Sequence, residues 1–100
     1  MNRIAYRMYY FWNGPSHADP FRIELSATQI SANLERFPIA LRHLLADENA
    51  TVTPHKIAGD LNAIKVVIET TLNDDDVAKT IVRCLHTEKL DLFGERLDVP

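Results

Sequence analysis

The side chains best suited to chemistry in this sequence are four histidines, a single cysteine and a run of three aspartates. Cys84 and His86 lie two residues apart, and on a helix that spacing turns two side chains towards nearly opposite sides. They therefore cannot share a metal ion. We expect Cys84 to be a small core residue and His86 to be solvated near the end of its helix.

A second group of polar side chains lies in residues 13–20, a segment rich in turn-forming residues. Ser16, His17 and Asp19 are too close in sequence to converge as a catalytic triad, so a polar loop is the main interpretation. If the protein is an enzyme, a histidine beside aromatic residues is where a general base would be sought. The weak catalytic candidates are Tyr10, Trp12, Asn13 and His17.

The aspartates at positions 74–76 follow Asn73, a residue type that often caps helices. Carboxylates in a first turn are stabilised by the helix dipole, by about 0.3–1 kcal/mol each. Successive helical positions diverge by about a hundred degrees, so few of these carboxylates can converge on one cation. We therefore expect helix capping here. The sequence has no zinc spacing, phosphate-binding glycine loop or nucleotide fingerprint, so we expect no metal and no cofactor.

The composition is that of a small globular protein. One hundred residues, 46% of them hydrophobic and 25% charged, fit a single domain over residues 1–100. The net charge of −3 argues against a nucleic-acid partner. A lone cysteine predicts a cytoplasmic protein. Arg7 interrupts the apolar segment that a signal peptide needs, and no apolar run approaches the ~20 residues of a membrane span.

The hydrophobic periodicity changes several times along the chain and predicts strands and helices in turn. Pro38 falls inside the first helix, and we favour a kink over a break because the apolar face continues across it. Thr28 or Ser31 is the expected N-cap. Strands are predicted at 3–12, 21–27, 51–59 and 63–72, helices at 28–47 and from 73 onward, and a short strand or arm at 90–100.

Connection rules turn these elements into a topology. A right-handed crossover from the second to the third strand, with a hairpin after it, predicts an antiparallel sheet of order 1-2-4-3. Both helices then cover one face. The ββαββα order is similar to the ferredoxin-like fold, a split β-α-β arrangement, with a possible extra C-terminal strand. Residues 3–12 and the C-terminal tail compete for the edge position beside the strand at 21–27.

The face without helices is the predicted interaction surface. It carries an apolar cluster near two arginines, and covering such a cluster with a partner is physically favoured. The predicted interface residues are Arg3, Arg7, Tyr9, Phe11 and Val67.

The main functional hypothesis is a binding module that acts as a homodimer through this face. A heterologous protein partner is the second possibility. A platform for single-stranded nucleic acid is disfavoured because glutamates share the face. The alternative function is a small cofactor-independent enzyme of the dimeric α+β barrel type, with a pocket near Trp12 and His17.

Overall fold

The described part of the protein consists of an open, four-stranded antiparallel sheet and two α-helices. The computed structural model describes residues 1–11 and 24–98. The elements in chain order are β1 (Asn2–Tyr9), α1 (Ala27–Leu44), a 3-10 turn (Ala46–Glu48), β2 (Thr51–Ile57), β3 (Asp60–Thr70), α2 (Asp74–Thr87) and β4 (Phe93–Leu97). The predicted α+β class, with a four-stranded antiparallel sheet and two helices, is confirmed.

The strands lie in the order β2-β3-β1-β4, so the predicted order 1-2-4-3 is wrong. The error comes from the strand expected at 21–27. Residues 24–26 have no regular structure and α1 begins at Ala27, while residues 21–23 lie outside the described part of the chain. In the described residues β1 takes a central position between β3 and β4. The C-terminal segment forms a strand at the edge beside β1, and not beside the strand expected at 21–27.

The start of α1 differs from the expectation because of a capping box. The Ser26 hydroxyl accepts a hydrogen bond from the Gln29 N–H at 3.2 Å, and the Gln29 side chain accepts one from the Ser26 N–H at 2.9 Å. This reciprocal pair satisfies two backbone donors at once, so it places the cap before Thr28 and Ser31. Pro38 is buried inside one continuous helix, which is therefore not broken there.

The start of α2 agrees with the sequence. Asn73 Oδ1 accepts a hydrogen bond from the Asp76 N–H at 2.8 Å, and three aspartates occupy the first turn. Their carboxylates lie where the positive end of the helix dipole favours negative charge. Among the residues described, neither helix is long and apolar enough to cross a membrane.

The core lies between the helices and one face of the sheet. Alternate residues of each strand point to this side, and one apolar stripe from each helix meets them. The best-buried members are Ile4, Met8, Val52, Val66 and Ile68 from the sheet, Leu34, Phe37 and Leu41 from α1, and Val77, Ile81 and Cys84 from α2. Full burial of a large apolar side chain contributes about 1.5–3 kcal/mol. This side of the sheet therefore holds the fold together.

Candidate binding surface on the open sheet face

The side chains of β1 that alternate with the core residues lie on the opposite face of the sheet, which neither of the described helices covers. The strand register places Ala5 between Val67 of β3 and Leu97 of β4, and it places Tyr9 opposite Phe93. Directly opposed residues on one face of an antiparallel pair have Cβ atoms about 4.5–5.5 Å apart, so their side chains interact. The register thus brings residues from both ends of the sequence into one surface.

A compact cluster of aromatic and cationic groups occupies one end of this face. The Tyr9 and Phe93 rings have centroids 5.7 Å apart and planes tilted by 31°. The guanidinium carbon of Arg7 lies 4.5 Å from the centroid of the Tyr9 ring. Both distances are within the range at which rings attract each other and cations attract ring faces. We call Arg7, Tyr9 and Phe93 the Tyr9 cluster.

Arg7 is held in this position by two carboxylates. Its guanidinium lies 3.0 Å from Asp60 Oδ2 and 3.7 Å from Glu95 Oε2. The Arg7 hydrogen bond holds the pKa of Asp60 below its usual value, and the Asn62 N–H, which also donates to Asp60, lowers that pKa further. A guanidinium anchored in this way lies over the Tyr9 ring with fewer accessible rotamers. The Arg7 side chain on this surface is therefore restrained by contacts within the chain itself.

The exposed apolar part of this face differs from the expected one. Phe11 is 53% exposed and Phe93 is 42% exposed, whereas Val67 is only 5% exposed. Val67 sits in the middle of the sheet, flanked by Ala5 and Thr53 on the adjacent strands. The expectation that Val67 is part of an exposed cluster is thus wrong for the single chain. The exposed apolar surface lies nearer the β4 edge.

Phe93 is a surface residue that the sequence reasoning missed. Phe93, Glu95 and Leu97 alternate with Gly94 and Arg96, which is a strand signal. Pairing β4 with β1 places those three side chains on the open face. The alternation could have suggested this placement, but only once the tail was known to lie beside β1.

The predicted interface residues do not form one patch. Arg7 and Tyr9 lie together in the Tyr9 cluster, with Phe11 just beyond the end of β1. Arg3 is exposed at the other end of the strand, opposite Glu69. Four residues of extended chain span about 13 Å, so Arg3 and Arg7 cannot contact the same small group.

Of the four residues proposed for catalysis, Tyr10 alone lies in the described part of the chain, so their arrangement stays a prediction. Tyr10 is 7% exposed, belongs to the core, and its hydroxyl accepts a hydrogen bond from the Leu25 N–H at 2.9 Å. That contact ties the chain entering α1 to β1, which is a structural role. Trp12, Asn13 and His17 lie outside the described residues.

Cys84 is buried in the core, as expected. Burial, with a smaller contribution from the Glu88 carboxylate, raises the pKa of its thiol to about 11. The thiol is therefore protonated at neutral pH and is a poor nucleophile. Within residues 1–11 and 24–98, no three side chains of His, Cys, Asp or Glu gather closely enough to hold a metal ion.

Comparisons of this chain with protein-family models, with curated proteins and with solved structures each returned no match. Its function is therefore inferred from the surface itself, since a fold class alone does not define an activity.

Proposed function

We propose that the protein is a binding module that forms a homodimer through the open face of its sheet. The observation that carries this proposal is the Tyr9 cluster, together with Phe11, on the side that the helices leave uncovered. Aromatic residues and arginine are the residue types most enriched where interfaces gain their binding energy. An oriented arginine beside exposed rings therefore supports a docking role.

The charges on the open sheet face support a second copy of this chain as the partner. The face carries both signs, so one copy can place its cations against the carboxylates of another. Arg3, Arg7 and Lys65 supply the cations, and Glu69 and Glu95 supply the carboxylates. A binder of single-stranded nucleic acid would instead present a groove of one positive sign. Self-association is thus favoured over a nucleic-acid partner.

The area of the open sheet face determines the affinity that we expect for the homodimer. Four strands about 4.8 Å apart and eight residues long give a flat area of roughly 500 Å². Stable interfaces bury about 800 Å² per partner, so a dimer using this face alone is small by that standard. We therefore expect a dissociation constant in the micromolar range, with Phe11 and Phe93 as the main apolar contacts.

Two further assignments belong to this proposal. The β-α-β-β-α-β order, with β1 and β3 in the centre, supports placing the fold in the ferredoxin-like, split β-α-β class. The single buried thiol of Cys84 is suited to a reducing compartment, so we place the protein in the cytoplasm.

The substitution Phe11→Glu tests the proposed dimer. A carboxylate in place of one of the main apolar contacts would lose its hydration without a dedicated partner, so we expect the dimer to dissociate. The molar mass is measured by light scattering over a range of protein concentrations. Wild-type protein should approach twice 11.4 kDa at high concentration, and Phe11→Glu should remain at 11.4 kDa.

Val82→Glu is the matched control, because Val82 is 66% exposed and lies on α2, on the opposite side of the sheet from the Tyr9 cluster. This variant should dimerise like wild type. Arg3→Glu provides a second test on the same face without removing an apolar side chain, and it should weaken the dimer. Wild-type protein that stays at 11.4 kDa throughout, or Phe11→Glu with an unchanged mass, would contradict the proposal.

A further inference from the structure

A groove separates α1 from the β2–β3 hairpin on the covered side of the sheet. It has two adjoining sections, with volumes of about 360 Å³ and 210 Å³. Both sections are lined by Leu34 and Glu35 of α1, Lys56 of β2 and Ile64 of β3, so they form one continuous channel. Together they reach the size of sites that hold small molecules, which is about 300–1,000 Å³.

The walls of the larger section are mostly apolar and are held apart. Pro38 and Ile39 line it from α1, and Pro54 lines it from β2. Arg42 fixes the distance between these elements, because its Nε and Nη2 donate to the Val52 carbonyl oxygen at 3.0 and 2.8 Å. The Arg42 side chain is long, and its hydrogen bonds hold α1 at a distance from β2. The smaller side chains that lie between the two elements do not fill this space, which leaves a gap.

The larger section of the groove carries more cations than carboxylates. Lys56 and Arg42 line it with the single carboxylate of Glu35, although the whole chain carries a net charge of −3. Asp60 lines the smaller section and is already paired with Arg7. The Lys56 side chain is exposed and makes no hydrogen bond or ion pair with any other residue in the described ranges. Its ammonium group is therefore available to an anion that enters the groove.

We propose that this groove binds a small molecule made of a short hydrocarbon chain that ends in a carboxylate. The hydrocarbon lies against Leu34, Pro38 and Ile64, and the carboxylate pairs with Lys56. Each buried methylene contributes roughly a fourfold gain in affinity, so chain length is the main source of binding strength. The ammonium group then selects an anionic end over a neutral one.

The edge of β2 argues against an extended peptide as the occupant. A peptide that adds to a sheet edge is held by main-chain hydrogen bonds. Here Arg42 already uses the Val52 carbonyl, and Pro54 has no N–H to donate. A peptide strand bound at this edge would thus lose part of its ladder of main-chain hydrogen bonds. A short fatty acid makes no such hydrogen bonds, so it loses nothing.

The experiment is a titration of isotope-labelled protein with octanoate, followed by amide chemical shifts. We expect saturable shifts confined to the groove, at Leu34, Ile39, Lys56 and Ile64, and weaker binding of hexanoate. The uncharged 1-octanol should bind in the same place with lower affinity. Lys56→Met should weaken octanoate binding roughly two- to fivefold and leave 1-octanol binding unchanged, as expected for one exposed ion pair.

Lys79→Met is the matched control, since Lys79 is an exposed lysine on α2 outside the groove. It should not change the affinity for either ligand. Shifts that do not saturate or that fall on the open face would overturn the proposal, as would equal effects of Lys56→Met on both ligands. If the groove amides shift with protein concentration instead, and Leu61→Ser abolishes that shift, the occupant is a second copy and the proposal is wrong.

Discussion

Val66 and Val67 are neighbours in β3, and each is hidden from solvent in a different way. Val66 is fully buried within the core beneath the two helices. Val67 is 5% exposed but does not belong to that core, because its side chain points to the open face. The two valines are therefore similarly buried for different reasons. The helices cover Val66, whereas Val67 is buried on the other face of the sheet.

The open face has a shallow apolar layer of its own. Its members are small residues in the middle of the strands, namely Ala5, Ala63 and Val67, each at most 5% exposed. Longer side chains at neighbouring positions, such as Arg7 and Tyr9, rise beside them. Such side chains can rearrange, whereas the helices over Val66 are fixed by the whole core. We expect the two valines to differ in energy although they are similarly buried.

The largest effect is expected for Val66→Ala. Removing two methyl groups beneath the helices loses their transfer free energy and leaves a cavity that the rigid core cannot close. We expect the free energy of unfolding to fall by about 2–3 kcal/mol, as measured by urea denaturation. A loss below 1 kcal/mol would show that the core around Val66 can collapse, contrary to its described packing.

Val67→Ala removes the same atoms from the open face and should cost less. Neighbouring side chains can move into the space, so only the transfer free energy is lost, about 1–1.5 kcal/mol. The same denaturation experiment gives the difference between the two variants directly. Equal costs would contradict the distinction between the two faces and would show that the open face is packed as tightly as the core.

The same contrast explains which parts of the structure the sequence predicted. Strands near 3–12, 51–59 and 63–72 follow from local periodicity, and the structure confirms them. Asn73 as a cap is also a local signal and is confirmed. Local patterns set which side of a strand is apolar, because burial on one side fixes the alternation.

Features that depend on pairing between distant segments were not predictable in this way. The contribution of Phe93 to the Tyr9 cluster was missed because it depends on β4 pairing with β1. The start of α1 was missed for another reason. The alternation of hydrophobic residues through Leu25 predicts a strand, but the capping box of Ser26 and Gln29, which is a local signal, starts α1 instead. The strand expected at 21–27 placed β1 at the edge of the predicted sheet instead of its centre.

The smallest expected effect concerns the ion pair that orders the open face. Arg7 and Asp60 are each about one-third exposed, so their pairing contributes about 0.2–1 kcal/mol. The pKa of Asp60 is lower in the folded protein than in the unfolded chain, chiefly because Arg7 donates a hydrogen bond to it. The stabilisation is therefore complete above the unfolded pKa of about 3.9 and is lost as the pH falls through the lower folded value.

Asp60→Asn should lower the free energy of unfolding slightly at neutral pH and flatten its dependence on pH below about pH 4. Asp47→Asn is the control, because Asp47 is an exposed carboxylate in the 3-10 turn, away from Arg7. Unfolding measured across the acidic range separates the two variants. If Asp60→Asn retains the wild-type slope, Arg7 does not depend on Asp60. The order of the Tyr9 cluster would then come from the aromatic contact and Glu95 alone.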